Sequence, residues 1–411
     1  MKKILALLLA VLMIVGLTAC GGASDDPKDE VKEYTIKVWT PAEDQAEGNN
    51  WLVKMEEKFA AAHPEWKINW TNESLSEGDA AGTVTADITA SADIYMFAND
   101  QLGNLITAGG LTKLGGKFET QVKTDNTDFM INTVTHTDGG VYGFPVTSNT
   151  WFMYYNKDVF SEEDVKSLDT MLTKGKVALP MTVSWYSGCF FLGCGGTVFG
   201  TAGNDAAAGI QFGEANGGYI AAHKMVELIN HSNVIAAGGE VGKLIDGEVA
   251  ASFSGSWDYT SAKNALGDKL GVTVLPKFTA EGKEYQMKAL SGSKCVGVNP
   301  NSGSVEGKQL VCTEFAAFLA SEEAQMERYN MRNVVPAAKN LQANDTIKND
   351  PVAQAEIATI NNASVVQSAL PEMANYWDPL NTYANQIVSG EIHDGNCEEY
   401  VDTMMTQMNK K

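Results

Sequence analysis

Residues 140–158 read GVYGFPVTSNTWFMYYNKD, and the order of residue types in them decides how the rest of the chain is laid out. Val141, Phe144 and Pro145 suit the end of a sheet edge, because proline has no N–H to give a ladder and is confined to strand ends and edges. Trp151 to Tyr155 then forms an unbroken aromatic and apolar run, the pattern of a strand buried on both faces. The segment is read as the crossing from one lobe of the protein into another.

Upstream of it, Tyr34 to Thr40 alternates, with Ile36 and Val38 on one face, and predicts the opening strand. A helix starting at Asn49 carries Leu52, Met55 and Phe59 on one stripe and stops at His63-Pro64. Trp66, Ile68 and Trp70 alternate as a second strand, a weaker helix spans Asp79 to Ser91, and Ile94 to Phe97 is a third strand. Strands alternating with helices predict an α/β, doubly wound sheet with crossover helices. In such sheets ligands collect at the carboxyl ends of the strands, here Thr40 to Gln45 and Phe97 to Gln101.

Downstream the pattern repeats. Val177 to Pro180, Ala250 to Ser254, Val272 to Leu275 and Lys294 to Val298 are strand candidates, and Gly217 to Asn230 is a helix. A further helix, Gly307 to Ala320, has Leu310, Phe315 and Leu319 spaced for burial. At 411 residues, with 44% apolar residues and eight tryptophans, the chain is long enough for two packed cores. A formal charge of -21 argues against nucleic acid as a partner, since phosphate binding needs clustered Lys and Arg.

The first nineteen residues place Lys2 and Lys3 before an apolar run, Ile4 to Val15, and end in Leu17-Thr18-Ala19 before Cys20, which reads as a secretory signal too short to span a membrane. Gly21 to Glu33 is small, polar and charged, as a flexible tether would be. Cys189, Cys194, Cys295, Cys312 and Cys397 are an odd set without metal-site spacing, expected as free thiols, with a Cys189–Cys194 bridge as the alternative.

Taken in order, Ala92-Asp93-Ile94 running into Asn99-Asp100, Phe144-Pro145 with Tyr155-Asn156-Lys157-Asp158, Gly247-Glu248-Val249-Ala250 with Gly255-Ser256-Trp257, and Leu370-Pro371-Glu372-Met373 before Trp377 resemble the maltodextrin-binding family of extracellular solute-binding proteins. The resemblance implies a two-lobed, periplasmic-binding-protein-like fold with a three-segment hinge. Lobe 1 would comprise 34–146 and 293–336, and lobe 2 would comprise 147–292 and 337–411, after a signal at 1–19 and a tether at 20–33. The signal's ending resembles a bacterial lipobox, which implies lipidation of Cys20 and a place on the outer face of the cytoplasmic membrane.

Carried over by position, the family's sugar contacts fall on Glu43, Asp44, Phe97, Asp100, Gln101, Asn149, Trp185, Trp257 and Trp377. Aromatic platforms suit the C–H faces of sugar rings, while carboxylates and amides suit the hydroxyls. Seven of the nine have a plainer reading: the tryptophans and Phe97 as core, Glu43 and Asp44 as helix caps, Asp100 as the cap of its own helix. The resemblance implies a monomeric binding protein, not an enzyme, that hands a malto-oligosaccharide or other oligosaccharide to an ABC permease and needs no metal or cofactor. The alternatives are the same fold holding a cation such as a polyamine, and a secreted glycosidase using Glu43 or Asp44 with Asp100.

Overall fold

The computed structural model describes residues 31–48 and 50–410. The expected signal, Cys20 and most of the tether lie outside them, and so does Asn49. β1 (Lys32–Thr40) takes up the last two residues assigned to the tether and pairs in parallel with β2 (Trp66–Ser74) and β3 (Ile94–Ala98). Between β1 and β2 the helix Trp51–Ala62 is capped by Asn50, whose side chain accepts from the Val53 N–H at 3.0 Å. Leu52, Met55 and Phe59 are buried on its inner stripe, joined by Trp51, whose Nε1 donates to the Ala324 carbonyl at 2.9 Å.

The helix expected over Asp79 to Ser91 is only Ala80–Ala86. Asp87 ends it by turning its carboxylate onto the N–H groups of Thr89 and Ala90, a local bond that competes with another helical turn.

The crossing contains β4 (Phe144–Asn149) and β5 (Phe152–Asn156). Phe144 and Val146 pack with β1 and β3 in one core, while Trp151, Met153 and Tyr155 pack in a second. Pro145 sits on an edge strand at a register shift, where an unpaired N–H position costs nothing.

The second sheet follows. β6 (Val177–Pro180) pairs in parallel with β9 (Val234–Ala237), and β10 (Ala251–Ser254) lies between β6 and β5, with β11 (Leu270–Thr273) on the far edge of β5. Two small hairpins, β7 (Thr197–Val198) with β8 (Ile210–Gln211) and β12 (Lys277–Ala280) with β13 (Lys283–Gln286), stand apart from it.

β14 (Ala289–Val298) begins five residues before the strand read from the sequence. Its first residues pair with β15 (Ser364–Val366), its middle with β4 and its end with β3. Ala289 and Leu290 therefore belong to the second core, whereas Cys295, Val296 and Val298 belong to the first. The first sheet runs β15-β14-β3-β1-β2, with β4 branching from β14.

One expectation needs correction. Leu310 is 50% exposed, because the buried face of the helix Lys308–Leu319 runs through Val311, Cys312, Phe315 and Leu319. The expectation of free thiols holds: Cys189 and Cys194 are free, as are the other three described cysteines, and the alternative bridge is not formed. They stand on one helical segment, where residues five apart point about 140° away from each other.

Candidate functional site

The carboxyl end of β3 opens onto a cavity of about 420 Å³, within the usual range for small-molecule sites. Gly78, Ala98, Asp100, Gln101, Asn149 and Lys294 give it a polar wall, and Trp185, Trp257 and Trp377, with Gln367, an indole wall. A smaller inner chamber of about 120 Å³ shares Asn149, Trp257 and Lys294 with it and continues to Glu77, Arg332 and Glu356.

The indole wall is built from three separate elements. Trp185 lies on the short helix Ser184–Ser187, Trp257 on the turn after β10, and Trp377 near the start of the helix Ala374–Ser389. The rings of Trp185 and Trp257 are 6.0 Å apart and inclined by 30°, so they offer neighbouring faces. Trp257 is 53% exposed, which rules out the core reading for it. Its ring lies over Gly255, where an added Cβ would stand 2.0 Å from it. Tyr376 braces Trp377 edge-on at 4.9 Å, and Gln367 fixes Trp185 by accepting from its Nε1 at 2.8 Å.

The polar wall is interlocked. The Gln101 amide nitrogen donates to the Gly78 carbonyl, and its oxygen accepts from the Ala81 N–H at 2.7 Å, so this side chain holds the rim loop while lining the cavity. Asn99 donates to the Gln367 carbonyl at 2.9 Å and accepts from the Ser293 N–H at 3.1 Å; only a glycine at 292 leaves room for it. Burial pushes the Asp100 carboxyl up, and the nearby Lys294 ammonium draws it back down. Lys294 has no ion-pair partner among the described residues and lines both chambers. Asn149 ends β4 opposite Gly292.

Three predicted site residues are elsewhere. Phe97 is fully buried beside Tyr95, with Gly143 and Gly297 packed against its ring, so it is core. Asp44 is also fully buried, gripped by Arg328 through two bonds of 2.9 Å and by Arg332 at 2.7 Å. Neither oxygen is left for a ligand, and the helix cap belongs to Asn50. Glu43 points to solvent, 3.9 Å from Arg332, and does not line either chamber.

Sequence reasoning missed Lys294, Gln367, Arg328, Arg332 and Glu356. A lone lysine among small and apolar strand residues and two arginines four apart on one helix were the available signals. Gln367 and Glu356 gave none.

The arrangement suits a ligand with apolar faces and a rim of hydroxyls. With Glu43 and Asp44 outside the cavity, the carboxyl pair required by the glycosidase reading is not assembled there. Lys294, which has no ion-pair partner among the described residues, disfavours a polyamine. Among the described residues no group of His, Cys, Asp and Glu is arranged to hold a metal ion. No described helix is long and apolar enough to cross a membrane.

The chain is 28% identical to the maltooligosaccharide ABC transporter solute-binding lipoprotein of Streptococcus pneumoniae, over 95% of this chain and 93% of that one. It is 26% identical to the galactooligosaccharide-binding protein of Bacillus subtilis with the same coverage. A solved structure with acarbose matches at 41% identity and a TM-score of 0.84, covering 92% of this chain and 99% of that one. Residues 54–355 match the family described as bacterial extracellular solute-binding protein, to which this two-lobed α/β chain belongs.

Proposed function

We propose that the protein is the binding component of an ABC importer and captures an oligosaccharide, a malto-oligosaccharide before others, between the indole wall and the polar wall. The carrying observation is the cavity of about 420 Å³ that three tryptophans line together with Asp100, Asn149 and Lys294. The work is binding, without any bond being cut. The named relatives support the ligand class, and a galacto-oligosaccharide is the second reading on the strength of one of them.

The three tryptophans and Asn149 would belong to one lobe, 147–292 with 337–411, and Asp100, Gln101 and Lys294 to the other, 34–146 with 293–336. The chain would pass between them in β4–β5, in β14 and near Asn333 to Ala337. A sugar that touches both walls only when the lobes are closed shifts the population toward the closed form by its differential affinity. That form docks on the permease. Cleavage before Cys20 and lipidation of its thiol would hold a monomer on the outer face of the cytoplasmic membrane, with two or more acyl chains needed for stable anchoring.

Calorimetric titration with malto- and galacto-oligosaccharides and with spermidine tests this. Saturable binding of one sugar series is expected. Heat only with spermidine would overturn the carbohydrate reading and leave a cation carrier.

A further inference from the structure

Beside the cavity the protein touches itself across the cleft. Asn99, just after β3 and 1% exposed, accepts from the Ser293 N–H at 3.1 Å while its side-chain nitrogen donates to the Gln367 carbonyl at 2.9 Å. Four residues on, in the helix Leu102–Thr107, the Gly103 N–H donates to the Ala369 carbonyl, also at 2.9 Å. Gly103 lies against the Pro371 ring as well: an added Cβ would stand 2.6 Å from Pro371 Cδ and closer still to the Ala369 oxygen.

The two sides of this contact are anchored apart. On one side the Gln367 N–H donates to the Ser291 carbonyl at 2.7 Å, and the buried Ser368 hydroxyl donates to the Gly203 carbonyl at 2.6 Å. Ser291 and Gly203 fall in 147–292, whereas Ser293, which holds Asn99, falls in 293–336. The contact therefore joins the two lobes, and its residues alternate with those lining the cavity. Asp100 and Gln101 lie between Asn99 and Gly103, while Gln367 and Trp377 flank Ala369 and Pro371. A rotation that carries Gln367 away from Asp100 and Gln101 also carries it away from Asn99.

The chemistry of the contact suits one that is made and broken. Both bonds use groups that water satisfies once the lobes part, so each is worth little net. Gly103 has an ordinary helical backbone, where alanine is the better helix former. Its glycine is accounted for by the close approach of Ala369 and Pro371.

Building on the functional reading above, we propose that Asn99 and Gly103 are positioning residues that latch the cleft. Neither lines the cavity. They form their bonds to Gln367 and Ala369 as the lobes close, and so hold Gln367, which fixes Trp185, against the polar wall. The competing role is static packing, a contact kept whether the cleft is open or closed.

The test compares the native protein with Gly103→Ala and with Asn99→Asp, which keeps the acceptor for Ser293 and loses the donor to Gln367. Each is titrated with whichever of the malto- and galacto-oligosaccharides the native protein takes, its rates are followed by stopped-flow tryptophan fluorescence, and its ligand-free melting curve is recorded. Gly103→Ala should bind about tenfold more weakly, the scale of one or two lost hydrogen bonds, through faster dissociation with association unchanged. Its ligand-free Tm is not lowered, because the open form gains a better helix residue and loses no contact. Asn99→Asp should show the same faster dissociation; if Gly103→Ala does not fold, Asn99→Asp carries the test on that rate. Native affinity and dissociation in the variants, or a folded Gly103→Ala whose ligand-free Tm is lowered, overturns the latch while leaving sugar binding intact. A native protein that binds no oligosaccharide overturns the functional reading itself, and the latch with it.

Discussion

The two walls of the cleft are made in different ways. The polar wall is a network in which each group serves another: Gln101 holds the rim, Asn99 ties β14 to Gln367, and behind them Asp44 is clamped by two arginines. The indole wall consists of three rings from three elements, each braced by one neighbour and each presenting a face. A change in the polar wall should therefore spread into stability, whereas a change in the indole wall should be felt mainly in affinity.

The largest effect follows from breaking the clamp. Asp44→Ala leaves Arg328 as a buried, half-paired charge, and removing one partner of such a pair costs about 3 to 5 kcal/mol. Chemical denaturation should show that loss; a melting curve unchanged from the native protein would mean that the wall is not a network. Next come Trp257→Ala and Trp377→Ala. Truncating an aromatic anchor costs about 2 kcal/mol, roughly thirtyfold in Kd, with the fold unchanged. Calorimetry and far-ultraviolet circular dichroism on the same samples would separate the two quantities.

A smaller effect is expected at Gly255, because an alanine there would push the Trp257 ring off its seat. We expect a loss of about 1 kcal/mol in affinity, from a misplaced rather than missing platform. Tryptophan fluorescence should report the altered ring, and an unchanged spectrum with full affinity would show that the ring does not depend on its glycine.

A pH dependence is shared by the two sides. Glu56 in the first core and Glu356 beside the second are both raised by burial, to about 7 and about 8. The folded state thus binds more protons than the unfolded chain, so stability is full below the ordinary carboxyl range and declines as pH rises through 7 and 8. Glu56→Gln and Glu356→Gln should each flatten the alkaline part of a Tm-versus-pH curve. A native Tm constant from pH 6 to 9 would contradict the assignment.

The same contrast explains what the sequence disclosed. β1, β3, β5 and β6 were legible because strands buried on one or both faces write their burial into alternation or unbroken apolar runs. The three tryptophans and Asp100 were legible as residues whose type suits sugar rings, once the family's order of motifs supplied the positions. Phe97 misled because the position of a stacking residue was matched while its neighbours, Ile94 to Ala98, are all buried. Asp44 misled because its partners, Arg328 and Arg332, lie 284 and 288 residues away, and no local pattern joins them. Glu356 was invisible for a related reason. In the run Pro351 to Asn362 it looks like an ordinary solvent-facing helix residue, and only the packing of that helix against β4 and β5 makes it a buried acid.

The central claim is that one oligosaccharide is held between these two walls. A crystal structure of the complex with maltotriose tests it most directly. The account predicts rings stacked on Trp257 and Trp377, with hydroxyls bonded to Asn149 and, across the cleft, to Asp100. Sugar bound outside this cleft, or lying on the indoles without reaching the polar wall, would contradict it.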